Sequence, residues 1–268
     1  MKYKCRLLFL FILASLIIWT FWGNTALTTT HYQVQSQRLP QSFDGLKIAQ
    51  ISDLHNAQFG ASNKKLLTLL KETQPDVIAI TGDLIDSRKT KPEVAVAFVE
   101  EAVKIAPTYY VPGNHESRLP DVYATLCAEF TALGVTVLEN ESVILEKDGG
   151  SITVTGLMDP DFGFSWPDLH TENYQIVLSH RPELLDLYTN MGLDLVFTGH
   201  AHGGQFRLPF IGGLFAPHQG FFPEYDSGLF TQDTTTMVIS RGLGNSLFPL
   251  RFNNRPEVVL VELESLKG

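Results

Sequence analysis

The sequence predicts an α/β domain in which a mainly parallel sheet packs against a second sheet, carried behind a membrane-spanning N-terminal helix. Three observations predict it. From Leu46 onward, short apolar runs alternate with amphipathic stretches in a β-α-β-α-β order, the pattern of a parallel sheet with helices packed on it. Further along, apolar runs crowd together with fewer helical stretches between them, which supplies strands for a second sheet. Ahead of both stands a run of 21 residues, 7–27, that carries no charge. At 268 residues the chain suits one large domain or two small ones, and its 44% hydrophobic content is ample for a core.

Residues 1–6 form a basic end: Lys2, Lys4 and Arg6 stand there, and no acidic residue precedes Asp44. Residues 7–27 (LLFLFILASLIIWTFWGNTAL) would span roughly 31 Å as a helix, close to the hydrocarbon thickness of a bilayer. By the positive-inside rule the basic end stays in the cytoplasm, so the expectation is a single-pass protein of the cell membrane with its body outside. Trp19 and Trp22 fall where an interfacial aromatic belt would sit. A cleaved signal peptide is the competing reading, but no clear A-x-A site follows and the Trp-rich end suits an anchor better.

Residues 28–45, rich in Thr, Gln and Ser, read as a tether followed by an edge strand, and residues 46–268 as the folded domain. KIAQIS (47–52), DVIAITG (76–82) and TYYVPG (108–113) read as buried strands, each ending in a turn signal. Helical stretches are expected near 61–73, 91–105 and 119–133. VTVLEN, SVILEKDGGSITVTGL, NYQIVLSH, DLVFTGH, TMVISRG and EVVLVELE supply the later strands.

The formal net charge is −9; without the three basic residues at the N-terminus, 17 basic residues face 29 acidic ones. A body this acidic repels phosphate backbones at long range, so no nucleic-acid partner is expected. Two cysteines, Cys5 and Cys127, cannot build a disulfide framework.

The informative pattern is what closes each strand. The first ends in Asp53-Leu54-His55, the second in Gly82-Asp83-Leu84-Ile85-Asp86, the third in Gly113-Asn114-His115-Glu116. Two later ones end in Ser179-His180 and in Gly199-His200-Ala201-His202-Gly203-Gly204-Gln205. Ligands of open α/β sheets bind beyond the carboxyl ends of the strands. Five of the eight histidines fall at such ends. Turn chemistry alone explains the Gly, Asp and Asn, but not why imidazoles should gather there. Carboxylate, amide and imidazole donors without a thiolate suit Mn, Fe or Zn, with Mg possible.

Taken together and in this order, Asp53-x-His55, Gly82-Asp83-x-x-Asp86, Gly113-Asn114-His115-Glu116, His180 and Gly199-His200-x-His202 resemble the motif set of the calcineurin-like metallophosphoesterases. The extended ending GHAHGGQ, with RLPFIGGLFAPHQGFFPEY and SRGLG after it, is similar to the bacterial membrane-associated YkuE-like and YaeI-like phosphodiesterases, whose usual GHTHGGQ has Thr where this chain has Ala201. The resemblance implies a four-layer sandwich, two mixed sheets flanked by helices. It implies two divalent metal ions per chain (Mn, Zn or Fe). Asp53, His55 and His202 would hold one, Asn114, His180 and His200 the other, and Asp83 both. His115 would protonate the leaving group, oriented by Asp86, while a hydroxide bridging the metals attacks phosphorus.

The expected function is therefore membrane-tethered hydrolysis of phosphodiester or pyrophosphate bonds, on a substrate that a lipid or the cell wall could carry. A pyrophosphatase of a nucleotide-linked lipid intermediate, a nuclease and a scaffold that has lost catalysis are the alternatives. Arg241, just after a strand, reads either as a bidentate phosphate ligand or as a surface or supporting arginine. Residues 206–230 hold six phenylalanines and three prolines. They read either as a hairpin filling core between the sheets or as an apolar rim at the mouth of the site.

Overall fold

The structure is a computed structural model that describes every residue except 1, 164, 165, 167, 168, 170, 267 and 268. All but the last two residues of the charge-free run lie in helix α1 (Lys2–Thr25), long and apolar enough to cross a membrane. Its hydroxyls do not break the apolar surface: Ser15 and Thr20 each donate to the carbonyl four residues back, at 2.8 Å. A bilayer demands such internal satisfaction.

Of the stretch read as a tether followed by an edge strand, the edge strand is present, but it takes the place of the tether and is built into the domain. Only Ala26 and Leu27 separate α1 from strand β1 (Thr28–Ser36), which pairs in parallel with the C-terminal strand from Thr28 opposite Glu257 to Ser36 opposite Ser265. Val34, Leu39 and Phe43 are buried in the core between the sheets. The Thr and Gln side chains that suggested a tether belong to an edge strand with one wet face, where polar residues cost little.

The remaining elements are β2 (Lys47–Ile51), α2 (Lys64–Glu72), β3 (Val77–Thr81), α3 (Pro92–Ala102), β4 (Thr108–Val111), α4 (Asn114–Ser117), α5 (Pro120–Ala132), β5 (Thr136–Val137), β6 (Ser142–Lys147) and β7 (Gly150–Gly156). They continue with β8 (Tyr174–Leu178), α6 (Leu185–Asn190), β9 (Leu195–Thr198), and the short β10 (Arg207–Leu208), β11 (Gly212–Gly213), β12 (Phe215–Ala216) and β13 (Gly220–Phe221). β14 (Gly228–Gln232), β15 (Thr235–Ile239) and β16 (Glu257–Ser265) complete the chain. Helices α3 and α5 both open on proline, whose fixed φ and missing N–H suit a first helical turn.

Two six-stranded mixed sheets form, in the orders β1-β16-β2-β3-β4-β5 and β14-β15-β9-β8-β7-β6. In the first, β2 to β5 run parallel and β16 opposes β2; in the second, β7, β8, β9 and β15 run parallel, with β6 and β14 opposed at the edges. Alternate residues of each strand face opposite ways. Ile48, Val77, Ala79 and Val111 meet Ile176, Leu178, Leu195 and Phe197 between the sheets. Ile51, Ile78, Ile80 and Tyr110 pack outward on Leu66, Leu70, Phe98 and Phe130 of α2, α3 and α5. Beyond the second sheet, Val177 and Val196 pack on Leu185 and Tyr188 of α6. The result is the expected four-layer α/β sandwich, because period-2 burial gives both faces of each sheet an apolar partner.

Candidate metal centre

The parallel strands of the two sheets bring their carboxyl ends together, and the residues just beyond β2, β3, β4, β8 and β9 meet. Backbone strain marks the place. Five of the seven expected ligands have left-handed φ: Asp53 (52°), His55 (45°), Asp83 (54°), His200 (66°) and His202 (50°). Outside glycine this conformation costs on the order of 1 kcal/mol or more per residue, so the packing around the site must over-determine it. Gly82 is required as well, since it has φ +85° and an added Cβ would come within 2.5 Å of the Gly113 nitrogen.

Two clusters share an edge. In the first, His55 Nε2 lies 3.2 Å from His202 Nε2, and Asp53 Oδ1 is 3.7 and 3.5 Å from those two atoms. In the second, His180 Nε2 lies 3.2 Å from His200 Nδ1 and 3.2 Å from Asp83 Oδ2. That same Oδ2 is 3.5 Å from His55 Nε2, so Asp83 belongs to both. One end of the Asn114 amide faces the second cluster, 3.3 Å from His180 Nε2 and 2.9 Å from His200 Nδ1, and its other end faces Arg118.

These residues fit divalent cations. Atoms about 2.1 Å from a shared ion lie roughly 3–3.5 Å from one another, as they do here. His180 Nδ1 sits 2.7 Å from the Thr81 carbonyl, which takes the ring proton and leaves Nε2 as a lone pair aimed into the cluster. His200 Nε2 sits 2.8 Å from His218 Nδ1, which frees His200 Nδ1 in the same way. Facing lone pairs and carboxylate oxygens with no hydrogen between them repel unless a cation joins them.

The charge balance agrees. Burial opposes ionisation of Asp53, but His202, His55 and His180 outweigh it and hold the carboxyl below its ordinary value. Asp83 is held low likewise, against burial, chiefly by His180. In return Asp83 overcomes burial to push His180 up to about 10, and Asp53 and Asp83 raise His55. Burial drives His202 down to about 3, with His55 and Arg251 adding to it, and lowers His200. Without metal, the two buried carboxylates favour the charged form of two imidazoles. The site demands positive charge.

Glu116 anchors the turns that carry the ligands. Its buried carboxylate accepts from the backbone N–H groups of Asp83 (2.9 Å), Gly113 (2.9 Å) and Ile85 (3.3 Å). Three buried donors left unpaired would cost about 3 kcal/mol or more together. Burial, with the Asp83 charge, pushes Glu116 up to about 7.

All seven expected ligands and His115 are brought together; two other expectations are corrected. Asp86 does not hydrogen-bond His115. Its Oδ1 is 4.0 Å from His115 Nδ1 because it accepts from the Arg88 N–H at 2.7 Å, and its Oδ2 lies 3.9 Å from His55 Nδ1. The Ser87 backbone N–H instead donates to His115 Nδ1 at 2.9 Å. Arg241 does not reach the site. It is clamped to the buried Glu257 by a 2.5 Å bond from its guanidinium and a 2.7 Å bond from its N–H, because a buried carboxylate needs a fixed countercharge.

A cavity of about 240 Å³ opens over the clusters, walled by Asp83, Asn114, His115, His200 and His202 and by Arg88, Arg118, Phe215, His218, Ser246, Leu247 and Phe248. Arg88 donates to Ser246 Oγ at 3.1 Å, and Ser246 Oγ lies 3.2 Å from His115 Nε2. Sequence reasoning missed Arg118, although it caps the C-terminus of α4 four residues after Asn114 and therefore shares its face. It also missed His218, for which an irregular segment offers no local signal. The core-filling reading of 206–230 fails for Phe221 and Phe222, which are 77% and 66% exposed, while Phe215 lines the cavity.

The profile of the calcineurin-like phosphoesterase family matches residues 46–204. The chain is 31% identical over 249 residues to the uncharacterized metallophosphoesterase YkuE of Bacillus subtilis (strain 168), covering 88% of this chain and 85% of that one. It is 30% identical over 223 residues to the phosphodiesterase YaeI of Escherichia coli (strain K12), covering 81% and 82%. Among solved structures, TT1561 of Thermus thermophilus superposes with a TM-score of 0.50 at 16% identity, over 75% of this chain and 91% of that one, a likeness of fold.

Proposed function

The chain belongs to the calcineurin-like phosphoesterase family and is a metal-dependent phosphoester hydrolase, and we propose that it cleaves phosphodiester or pyrophosphate bonds with two divalent cations at the paired clusters. One observation carries the binuclear reading: Asp83 Oδ2 stands 3.5 Å from His55 Nε2 and 3.2 Å from His180 Nε2, within reach of both clusters. Asp53, His55 and His202 would hold one cation, Asn114, His180 and His200 the other, and Asp83 both. When bound, the pair supplies Lewis acidity and a nucleophilic water near neutral pH.

The chain's own groups do the rest. Because the Ser87 N–H occupies His115 Nδ1, a neutral ring keeps its proton on Nε2, the atom next to Ser246 at the cavity wall. That proton is placed for the departing oxygen. Arg88 and Arg118 line the cavity and supply guanidinium donors for phosphoryl oxygens. Phe215, Leu247 and Phe248 limit the water around them.

The purified full-length protein should contain two metal ions per chain. Chelation should abolish hydrolysis of bis(4-nitrophenyl) phosphate, and Mn²⁺ should restore it. A fully active protein with one ion or none would overturn the binuclear reading.

α1 anchors the enzyme in the cell membrane with the catalytic domain outside, on the support of the basic residues before it and their absence after it until Arg38. Protease added to intact spheroplasts should digest the domain. Protection until the membrane is permeabilised would reverse this orientation.

A further inference from the structure

We propose that the rim of the cavity docks on the bilayer that holds α1, and that the substrate is an amphiphile whose phosphoester headgroup enters the site from the membrane side. The first half stands on geometry alone; the second also rests on the phosphoesterase reading above.

The membrane helix ends on the cavity wall. Asn24, in the last turn of α1, donates to the Arg251 carbonyl at 2.8 Å and accepts from the Arg251 N–H at 2.7 Å and from Asn245 at 3.2 Å. Arg255 donates to the carbonyls of Ala26 and Leu27 and lies 4.9 Å over the Trp22 ring. The loop seized in this way, 245–251, is the one that gives Ser246, Leu247 and Phe248 to the cavity. With two residues between α1 and β1, the domain has no slack to swing away.

The surface beside that attachment is apolar. Eleven large apolar side chains are exposed among the described residues after α1, and seven of them lie on two segments at the cavity: Phe210, Ile211, Phe221 and Phe222 on one, Leu247, Phe248 and Leu250 on the other. The segments touch through Phe215, whose ring is 5.4 Å from that of Phe221 and 6.4 Å from that of Phe248. Exposed clusters of this kind mark contact surfaces.

The bilayer is the occupant because the anchor places it there. Trp19 and Trp22 set the interfacial level at the end of α1, and tethering makes contact with that interface an intramolecular event. Phenylalanines there would enter the acyl boundary. A lipid phosphoester would then lie beside Arg88 and Arg118 without leaving the membrane.

The test uses the full-length protein in phosphatidylcholine vesicles containing some phosphatidylglycerol. Cys5 and Cys127 are replaced by serine, and an environment-sensitive fluorophore is placed on Phe222→Cys or, as a control, on Asp233→Cys in the β14–β15 turn. Lipids brominated on the acyl chain should quench the label at 222 and spare that at 233. Equal, weak quenching at both positions would overturn the docking. Replacing Phe221 and Phe222 together by serine should leave kcat/KM for bis(4-nitrophenyl) phosphate unchanged. Hydrolysis of a fluorescent phosphodiester lipid in the same vesicles should fall about tenfold or more, because the rim loses the apolar burial of two phenylalanines in the bilayer. A parallel fall on both substrates would also overturn the proposal. Quenching at 222 with neither substrate cleaved by the metal-loaded wild type would leave the docking standing and sink the phosphoesterase reading instead.

Discussion

Asp83→Ala should strip the centre of metal and reduce turnover to on the order of 10⁻⁴ of wild type, the scale expected when one member of an interdependent catalytic unit is removed. The reason is specific to Asp83. Its Oδ2 faces both His55 and His180, and its Oδ1 accepts the His115 N–H at 2.8 Å, so one truncation opens both clusters and releases the turn that carries the acid. Elemental analysis of the purified variant should find fewer than two ions per chain under conditions that load the wild type. Asp53→Ala, whose carboxylate stands closest to His55 and His202 among the ligand atoms, should empty the first cluster preferentially. Retention of both ions in Asp83→Ala would mean that the carboxylate is not shared.

His115→Ala should fail differently. The ring lies at the cavity and is not in either ligand set, so metal content should be unchanged. The rate should fall by about 10²–10⁴ for substrates with an alkoxide leaving group, the usual contribution of a positioned acid. Nitrophenyl esters should suffer far less, because their leaving group departs without a proton. Since the Nδ1 partner is the Ser87 N–H at 2.9 Å and Asp86 stands 4.0 Å away, Asp86→Asn should cost much less than His115→Ala. A loss in Asp86→Asn as large and as dependent on the leaving group would restore Asp86 as the orienting group. Loss of metal in His115→Ala would move that residue into the ligand set.

The sequence carried the ligands well because each announces itself locally. Asp53, Asp83, Asn114, His180 and His200 follow apolar runs directly, and a parallel sheet must deliver the carboxyl ends of such runs to one side. Short continuous apolar runs likewise announced strands covered on both faces. Composition announced an edge strand within 28–45 but put a tether before it, since the same Thr and Gln content suits a solvated tether and the wet face of an edge strand. What separates the two is pairing with β16, more than two hundred residues away in the chain.

What the sequence determined by itself, then, is a mainly parallel sheet with a second sheet against it, a long apolar N-terminal helix and the chemistry of the donor set, all of which follow from periodicity and side-chain type within a few residues. The tertiary structure decided which of several chemically equivalent partners each polar group takes. Arg241 could have met phosphate as well as Glu257, and His115 could have met a carboxylate as well as an amide N–H. Local pattern is silent on such choices, because each turns on a distance of an ångström or so between segments far apart in the chain. The same holds for Phe221 and Phe222, whose burial depended on whether another element covered them. None among the described residues does, and they stand exposed on the segment that borders the cavity, beside the loop that grips the end of the apolar N-terminal helix.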